Sequence, residues 1–187
     1  DSTFKDLQLE FKIVSLDKIT PSIDSLKLDG QVNGTLHIRQ KDKIYRPTSN
    51  LNITDFSVND IRLGNLIIDA LGNSDLTKIA VYTRLSDKGV DKLDINGNLD
   101  ISGDHTMANL LATFNSFNLE PFRPLGEPVL SNIRGFVSGN AKITGRIDNP
   151  DINGVLNLSN AGIGIPYLNV DYDLGFNSQV VLANQTF

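Results

Sequence analysis

The sequence contains no cysteine, no tryptophan and few aromatic residues of any kind. The absence of cysteine excludes disulfide bonds, thiolate zinc sites and a cysteine nucleophile. Because aromatic residues make up only 7% of the 187 residues, a core has to be built from leucine, isoleucine and valine. No run approaches the ~20 apolar residues of a membrane-spanning helix. No signal-peptide pattern occurs at Asp1, and we expect the sequence to be a piece of a longer protein.

Acidic residues outnumber basic ones, 22 to 17, which gives a net charge of −5 and an isoelectric point near 4.9. Binding to a nucleic-acid backbone needs a basic surface, so we expect no nucleic-acid partner. The lysines and arginines are also scattered, which argues against a polybasic patch for anionic membranes. The hydrophobic share of 40% and the charged share of 21% are those of a folded protein.

Alternation of apolar and polar residues is the dominant pattern, and it is typical of half-buried β-strands. It is unbroken over 26–39 and returns over 93–104 and 133–148, with leucine, isoleucine, valine and glycine on one side. Less regular alternation predicts further strands near 7–13, 51–53, 63–68, 79–85 and 168–174. The chain is therefore predicted to be all-β, with a long antiparallel curled sheet (a half-pipe groove) and an apolar concave face.

Two segments interrupt this pattern. Residues 107–117 are compatible with either a strand or a short helix. Residues 118–128 carry three prolines, Pro121, Pro124 and Pro128, and are predicted to form a loop. We expect one continuous β-repeat module over 1–187, with sub-repeats at 26–90 and 91–187.

A short motif, (Val/Ile)-x-Gly-x-(Leu/Ala)-x-(Ile/Leu), occurs four times, with its glycines at Gly34, Gly97, Gly139 and Gly154. Residues 51–58 are similar in sequence to residues 156–163, and these two segments are separated by the same number of residues as Gly34 and Gly139. Unequal spacing of the copies argues against a strict solenoid and favours a long sheet with loops of variable length. Glycine inside a strand marks a bend or a close approach, so these four glycines are predicted to shape the sheet. Two arrangements stay open: a closed sandwich of two sheets, or a curled sheet with room for a guest.

No constellation of catalytic or metal-binding residues is evident. The two histidines, His37 and His105, are far apart in sequence, and His37 lies on the polar side of a predicted strand. The segment 94–98 departs from a calcium loop at the glycine and at the closing glutamate. Gly162 and Gly164 lack the third glycine and the helix of a dinucleotide site, and no Gly-x-Ser-x-Gly motif occurs. The chain is therefore predicted not to be an enzyme and to use no cofactor or metal.

Five short motifs follow one another between residues 117 and 172. They are a Phe-x-Leu-x-Pro loop, a Gly-x-x-x-Gly strand, an Asn-Pro turn, a Gly-x-Leu-x-Leu strand and an Ile-Pro-x-Leu-x-Val-x-Tyr strand. Their residues are Phe117, Leu119, Pro121, Gly135, Gly139, Asn149, Pro150, Gly154, Leu156, Leu158, Ile165, Pro166, Leu168, Val170 and Tyr172. In this order the motifs resemble the TamB group of the AsmA-like superfamily, in the form found in Bacteroidetes. Outside this segment the chain resembles the family only in its general sequence pattern.

The resemblance implies a role in the bacterial cell envelope. TamB-like proteins are anchored in the inner membrane by an N-terminal helix and cross the periplasm, and their long sheet curls into an apolar groove, the β-taco. They are linked to outer-membrane assembly with a partner barrel, here a TamA-like or BamA-like protein, and to phospholipid movement toward the outer membrane. We therefore expect a periplasmic segment that holds or conducts phospholipid, in a protein anchored by a segment absent from this sequence. The family offers no catalytic residues to carry over.

The residues expected to contact lipid are apolar and lie in phase on the predicted strands. They are Val32, Leu36, Ile38, Ile95, Leu99, Ile101, Val137, Ile143, Leu156 and Leu158. An acyl chain gains about 0.8 kcal/mol per CH₂ removed from water and makes no directional demand, so such a face suits it. Two alternatives stay open: a chaperone-like scaffold that binds nascent outer-membrane β-barrel proteins by strand addition, and a plain structural β-sandwich. Self-association through the apolar face or the sheet edges is a further predicted contact.

Overall fold

The computed structural model of the chain describes residues 5–20, 25–41, 44–75, 77–127, 129–175 and 178–186, and the side chains of all of these except 41, 44–46 and 184–186. Pro128 of the predicted loop lies outside the described residues. The strands are β1 (Lys5–Ser15), β2 (Leu28–Lys41), β3 (Ile44–Val58), β4 (Ile61–Gly72), β5 (Lys78–Asp87), β6 (Val90–Asp100), β7 (Met107–Asn118), β8 (Ser131–Arg146), β9 (Asn149–Ile165), β10 (Val170–Asp173) and β11 (Ser178–Thr186). Short 3₁₀ segments lie at Leu16–Lys18, Glu120–Gly126 and Pro166–Leu168.

All of these strands belong to one antiparallel sheet, in which sequence neighbours are spatial neighbours from β1 to β10. β10 pairs with 162–165 of β9, and β11 pairs with 151–158 of the same strand. The two therefore lie end to end along β9 as one interrupted edge strand, which gives the sheet ten strand positions. The curled, unclosed sheet confirms the predicted all-β half-pipe. The described residues form a single sheet and not a sandwich of two.

The two ambiguous segments take different structures. Residues 107–117 belong to β7, in which Ala108 and Ala112 are buried while Asn109 and Leu111 are exposed, as a strand with one covered face requires. The prediction of a plain loop over 118–128 needs correction, because Glu120–Gly126 forms a 3₁₀ helix. A proline in the first turn favours this helix, since its fixed φ suits a helical start and its missing N–H costs no hydrogen bond there.

The apolar face of the sheet is its concave face. Val32 and Val58 are only 1% exposed and Leu85 only 2%, although the sheet is a single layer. A flat single sheet would leave both faces in water, so such burial requires the sheet to curl over its apolar side. No charged or polar side chain among the described residues is buried.

Two 3₁₀ segments cover one half of this concave face. Leu16 of Leu16–Lys18 is buried with Val32 and Ile53, and Phe122 of Glu120–Gly126 packs against a second buried cluster around Leu85. We call this side, where β2 and β8 begin, the covered half. The opposite side, where β2 and β8 end, is the uncovered half.

A bulge recurs in β1, β3 and β7, and at each one a residue takes the left-handed conformation. The residues are Ile13, Asp55 and Ser116, with φ of 53°, 53° and 47°. Their N–H groups donate to side-chain oxygens of the following strand, Asn33 Oδ1 at 3.0 Å, Asn65 Oδ1 at 3.2 Å and Ser138 Oγ at 2.9 Å. A bulge bends its strand and increases the local twist, so the repeated device helps to curl the sheet. The same arrangement therefore occurs twice, as a bulged strand, a 3₁₀ segment and a following strand. It is formed once by β1, Leu16–Lys18 and β2, and once by β7, Glu120–Gly126 and β8.

The apolar concave face as candidate functional site

Rows of side chains cross the concave face from strand to strand, because directly paired residues of an antiparallel sheet point to the same side. The middle row is Phe11, Gly34, Leu51, Ile68, Thr83, Ile95, Ala112, Ala141, Gly154 and Leu182. The row on the covered side is Val14, Val32, Ile53, Leu66, Leu85, Leu93, Phe114, Gly139, Leu156 and Val180. The row on the uncovered side is Leu9, Leu36, Ser49, Ala70, Val81, Gly97, Leu110, Ile143 and Ile152. Ten strand positions span roughly 43 Å along a row, since neighbouring strands lie about 4.8 Å apart.

The ten residues predicted to contact lipid all lie in phase with these rows. Val32 and Leu156 stand in the covered-side row, Ile95 in the middle row, and Leu36 and Ile143 in the uncovered-side row. Val137 and Leu158 pair with each other in the covered half, Ile38 and Leu99 lie toward the uncovered ends of β2 and β6, and Ile101 lies just past β6. The structure thus brings together on one surface residues that are far apart in sequence. Their contact with lipid stays a prediction.

The four groove-shaping glycines share one geometric property. A Cβ atom added at Gly34, Gly97, Gly139 or Gly154 would lie 2.0 to 2.2 Å from a backbone carbonyl oxygen of the adjacent strand. Gly34 also has φ of +127°, which lies in a region that side chains rarely adopt. Backbones therefore approach each other at these positions more closely than any residue with a side chain permits.

The covered half contains a packed core. Val58, Leu63, Leu85, Phe117 and Val137 form its buried cluster. The rings of Phe117 and Phe122 lie 5.6 Å apart between centroids, and those of Phe114 and Phe117 lie 5.8 Å apart. Aromatic contacts at these distances add to the burial of apolar area. This half of the face is therefore filled by the protein's own side chains.

Hydrogen bonds to backbone groups hold the segment Glu120–Gly126 and the preceding Leu119 against this core. Asn59 Nδ2 donates to the carbonyl oxygen of Pro121 at 2.7 Å, across 62 residues of sequence, and the Leu119 N–H donates to the Gly135 carbonyl at 3.0 Å. Asn59 Oδ1 also accepts from the Lys27 N–H at 2.9 Å. One side chain in the β3–β4 turn therefore joins the start of β2 to the covering segment.

The sequence pattern does not predict this cover, because its three prolines indicate a loop over 118–128. A signal for the cover is nevertheless present in a short stretch of the sequence around Pro121. Phe114, Phe117 and Phe122 are three of only nine phenylalanines in the chain, and they flank the first of the clustered prolines. Aromatic residues around a proline-rich loop indicate a loop that packs back on the core.

The uncovered half has a different surface. Its predicted lipid-contact residues Leu36, Ile38, Leu99 and Ile143 are half-buried, and neither buried core cluster of the described residues reaches them. Ala108 and Ile79 are buried in this half, and Ala112 is buried in the adjoining middle row. This half therefore offers an apolar surface that a guest can still cover.

Charged groups stand on the convex face and at the strand ends, where they pair across strands. Arg62 donates to Asp55 at 2.9 Å and to Asp87 at 2.7 Å, and these two carboxylates raise the pKa of Arg62. Such exposed pairs contribute little to stability. Their position matters more, because the three concave rows contain no charged residue among the residues that the structure describes.

The edge strand β10 is fixed by a second arginine. Arg134 lies over Gly162 of β9 and contacts Asp171 at 2.8 Å and Asp173 at 2.5 Å. Asn132 Nδ2 donates to the other oxygen of Asp171 at 2.8 Å. The Arg134 guanidinium, and after it the Asn132 amide, hold the pKa of Asp171 below its usual value.

In the part of the chain that the structure describes, no group of three or more His, Cys, Asp or Glu side chains is placed to hold a metal ion. None of its helices is long and apolar enough to cross a membrane. Comparison with protein-family models, with curated proteins and with solved structures finds no match to this chain.

Proposed function

We propose that the chain holds phospholipid by its acyl chains on the uncovered half of the concave face. The observation that supports this is the continuity of the apolar rows across the sheet, combined with the half-burial of Leu36, Ile38, Leu99 and Ile143. A surface of this kind is uncharged and extends in one direction. It fits a long hydrocarbon chain better than a compact polar ligand.

The energetics favour such a guest. Each CH₂ group that leaves water contributes about 0.8 kcal/mol, and an acyl chain lying along a row can bury many of them. The side chains of the three rows, as far as the structure describes them, are apolar apart from the hydroxyls of Ser49 and Thr83, so little in them would lock one headgroup in place. A lipid on this face is therefore held by the apolar surface area that it buries, and it can slide along the row.

The difference between the halves refines the proposal. In the covered half the protein's own Leu85, Phe117 and Val137 occupy the concave side, so lipid meets the uncovered half first. Among the predicted contact residues, Val32 and Val137 thus support the groove as core, while Leu36 and Ile143 contact the acyl chain.

The cellular setting of this proposal comes from the motifs between residues 117 and 172. We propose a periplasmic segment of a TamB-like bridge between inner and outer membranes that supports outer-membrane assembly with a TamA-like or BamA-like barrel. The single curled sheet fits a segment of such a bridge.

Site-specific photocrosslinking tests lipid contact directly. A photoreactive residue replaces Leu36, and a matched variant carries it at Thr35, the adjacent residue on the convex face. The purified chain is mixed with vesicles of phosphatidylethanolamine and phosphatidylglycerol, irradiated and analysed by mass spectrometry. We expect phospholipid adducts at position 36 and none at position 35.

A third variant, with the photoreactive residue at Val137, compares the two halves. Fewer adducts at 137 than at 36 support lipid contact on the uncovered half. Equal adducts at 35 and 36 would indicate nonspecific adsorption. Absence of adducts at 36 in a folded protein would refute the proposal.

A further inference from the structure

The hydrogen-bond ladder of the sheet has a gap in its interior, on the covered side between β6 and β7. The pairing of these two strands ends at Leu93 with Phe114. Residues 90–92 of β6 and residues 115–118 of β7 continue beyond this pair without pairing with each other. A cavity of about 230 Å³ lies at the gap and is lined by side chains from β4 to β8.

Part of the cavity lining is apolar. It consists of Leu63, Leu85, Phe117 and Phe136. The first three belong to the buried cluster of the covered half and are no more than 7% exposed, so they form a rigid floor. Phe136 is 39% exposed and lies on the convex face, because the adjacent Val137 is buried on the concave one.

Phe136 departs from the pattern of its strand. The other side chains on the convex face of β8 are polar, among them Arg134, Ser138, Asn140 and Lys142. Phe136 packs against neither of the buried core clusters of the described residues. Core packing therefore does not account for an aromatic ring at this position, whereas a ligand in the cavity would cover it.

Two bulges bring polar side chains to the same cavity. Lys92 is the extra residue of a bulge in β6, between the two residues that pair with Leu85 and Ser86. Ser116 lies in the bulge of β7 and has φ of 47°. Bulges beside functional sites commonly redirect a side chain. Here they place an ammonium and a hydroxyl group at the cavity.

The cavity has more hydrogen-bond donors than the protein uses. Within the part of the chain that the structure describes, the Lys92 ammonium, the Ser116 hydroxyl and the Asn118 side-chain NH₂ group have no partner. The Asn118 side-chain oxygen is occupied, since it accepts from the Glu120 N–H at 3.0 Å. Three free donors at one cavity favour a ligand that supplies acceptor oxygens.

The charges of the lining favour an anion. Arg62 also lines the cavity, and its charge is offset by Asp87 at 2.7 Å. Lys92 is half-buried and forms no ion pair with a described residue, so its charge is not offset. A charge that is partly removed from water gains from a partner of opposite sign. The cavity thus has a net positive lining in a chain whose net charge is −5.

We propose that this cavity binds a small carboxylate that carries an aromatic ring. The carboxylate accepts hydrogen bonds from Lys92, Ser116 and Asn118, and the ring lies between Phe136 and the apolar floor. Aromatic rings attract each other at such contacts beyond the burial of their area. Pockets for drug-sized ligands begin at roughly 300 Å³, so a cavity of about 230 Å³ restricts the ligand to a smaller molecule. This site does not depend on lipid binding by the concave face.

Titration with one acid and its amide tests the proposal. The probe is 3-phenylpropionate, and 3-phenylpropanamide is the uncharged control of the same shape. Backbone amide signals of the ¹⁵N-labelled chain are followed by NMR at constant ionic strength. We expect saturable shifts at Lys92, Ser116 and Asn118 with the acid, and about tenfold weaker binding of the amide, because hydrogen bonds to an ionised group are stronger.

Two variants with matched controls locate the site. Lys92→Gln removes the ammonium and should weaken binding of the acid about tenfold. Lys88→Gln removes an exposed ammonium from the neighbouring β5–β6 turn and should leave the affinity unchanged. Phe136→Ala should weaken binding about fivefold. Leu111→Ala, at a residue that is 47% exposed on the convex face of β7, should not weaken it. Circular dichroism checks that each variant keeps its β-structure.

Three outcomes would overturn the proposal. The absence of saturable shifts in the folded, unmodified chain would show that the cavity takes no such ligand. An affinity that neither Lys92→Gln nor Phe136→Ala changes would place the ligand elsewhere, for example on the concave face. Equal affinities for the acid and the amide would show that the carboxylate is not the recognised group.

Discussion

The two halves of the concave face have the same kind of sequence and different packing. In both, apolar residues alternate with polar ones on long antiparallel strands. In the covered half, Val32, Val58 and Leu85 are almost fully buried, whereas Leu36, Leu99 and Ile143 in the uncovered half stay half-buried. The difference arises because 3₁₀ segments and aromatic rings lie over one half alone.

This comparison separates two roles that one apolar face can have. A half that is filled by Phe117, Phe122 and Leu85 supplies stability, because its side chains are removed from water without a ligand. The half that lacks such filling keeps apolar surface in contact with water, so binding of an apolar ligand there is favourable. Stability and binding can therefore be tested separately by substitutions of one residue type in the two halves.

The largest expected effect is on the free energy of unfolding when a large core side chain is removed. Leu85→Ala in the covered half should lower it by about 3 kcal/mol, because the lost burial and the cavity both cost free energy. Leu99→Ala in the uncovered half should lower it by only about 1 kcal/mol, since Leu99 is half-buried. Urea unfolding followed by circular dichroism measures both. Equal losses would show that the two halves are packed alike.

Gly34 lies in the middle row, between the two halves, and its replacement tests the close approach of β2 to β3. Gly34→Ala should destabilise the fold by about 2 kcal/mol, because of its positive φ and because the new Cβ meets the Asn50 carbonyl oxygen. Gly103→Ala is the matched control, as no atom lies within 4 Å of its added Cβ, and it should change stability by less than about 0.5 kcal/mol. Thermal unfolding of both variants gives the difference. A neutral Gly34→Ala would mean that the strands can separate there without cost.

A smaller effect is expected when the covering segment loses its hydrogen bond. Asn59→Asp keeps the acceptor for the Lys27 N–H and removes the donor to the carbonyl oxygens of Pro121 and Ser25, which should cost about 1 kcal/mol. Hydrogen exchange of residues 119–126 should become faster. Asn73→Asp makes the same change in the β4–β5 turn of the uncovered half, where Asn73 contacts Thr77 and Lys78. Faster exchange of 119–126 in Asn73→Asp as well would contradict a local effect.

The smallest effect concerns pH and the edge strand. Arg134 and Asn132 lower the pKa of Asp171, so the stabilisation of β10 is present above the usual carboxyl pKa. It is lost as the pH falls through the lowered pKa, when Asp171 takes up a proton. Hydrogen exchange of Val170–Asp173 should therefore accelerate in acid more than that of β11, whose sequence contains no carboxylate side chain. Asp171→Asn should remove the pH dependence, and an unchanged dependence would assign it to another group.

Much of the architecture was readable from local pattern. The alternation over 26–39 and 133–148 corresponds to β2 and β8. The boundaries differ by about two residues, which is a common difference at the ends of secondary-structure elements. The phase of the alternation also placed Leu36, Ile95 and Ile143 on one face. These features depend on residues close in sequence, so the sequence carries them directly. The late strand was less predictable, because Pro166 and the left-handed Asn169 confine β10 to Val170–Asp173.

Other features depend on residues far apart, and local pattern does not contain them. Bulges at Ile13, Asp55 and Ser116 shift the register of their strands. Gly34, Gly97 and Gly139 fall into three different rows although they occupy equivalent positions in the repeated motif. A register shift depends on which side-chain oxygen of the next strand reaches the bulged N–H. That partner is known only once the strands are paired.

The sequence by itself therefore determined an all-β chain with one apolar face, because alternate residues of a strand point to the same side and the face is thus visible in the local pattern. Only the tertiary structure decided which half of that face became core. Phe122 and Pro121 are brought over Leu85 by contacts such as Asn59 with the Pro121 carbonyl, which join segments 62 residues apart. Closure over such a distance depends on the curl of the whole sheet, and no short stretch of sequence specifies it.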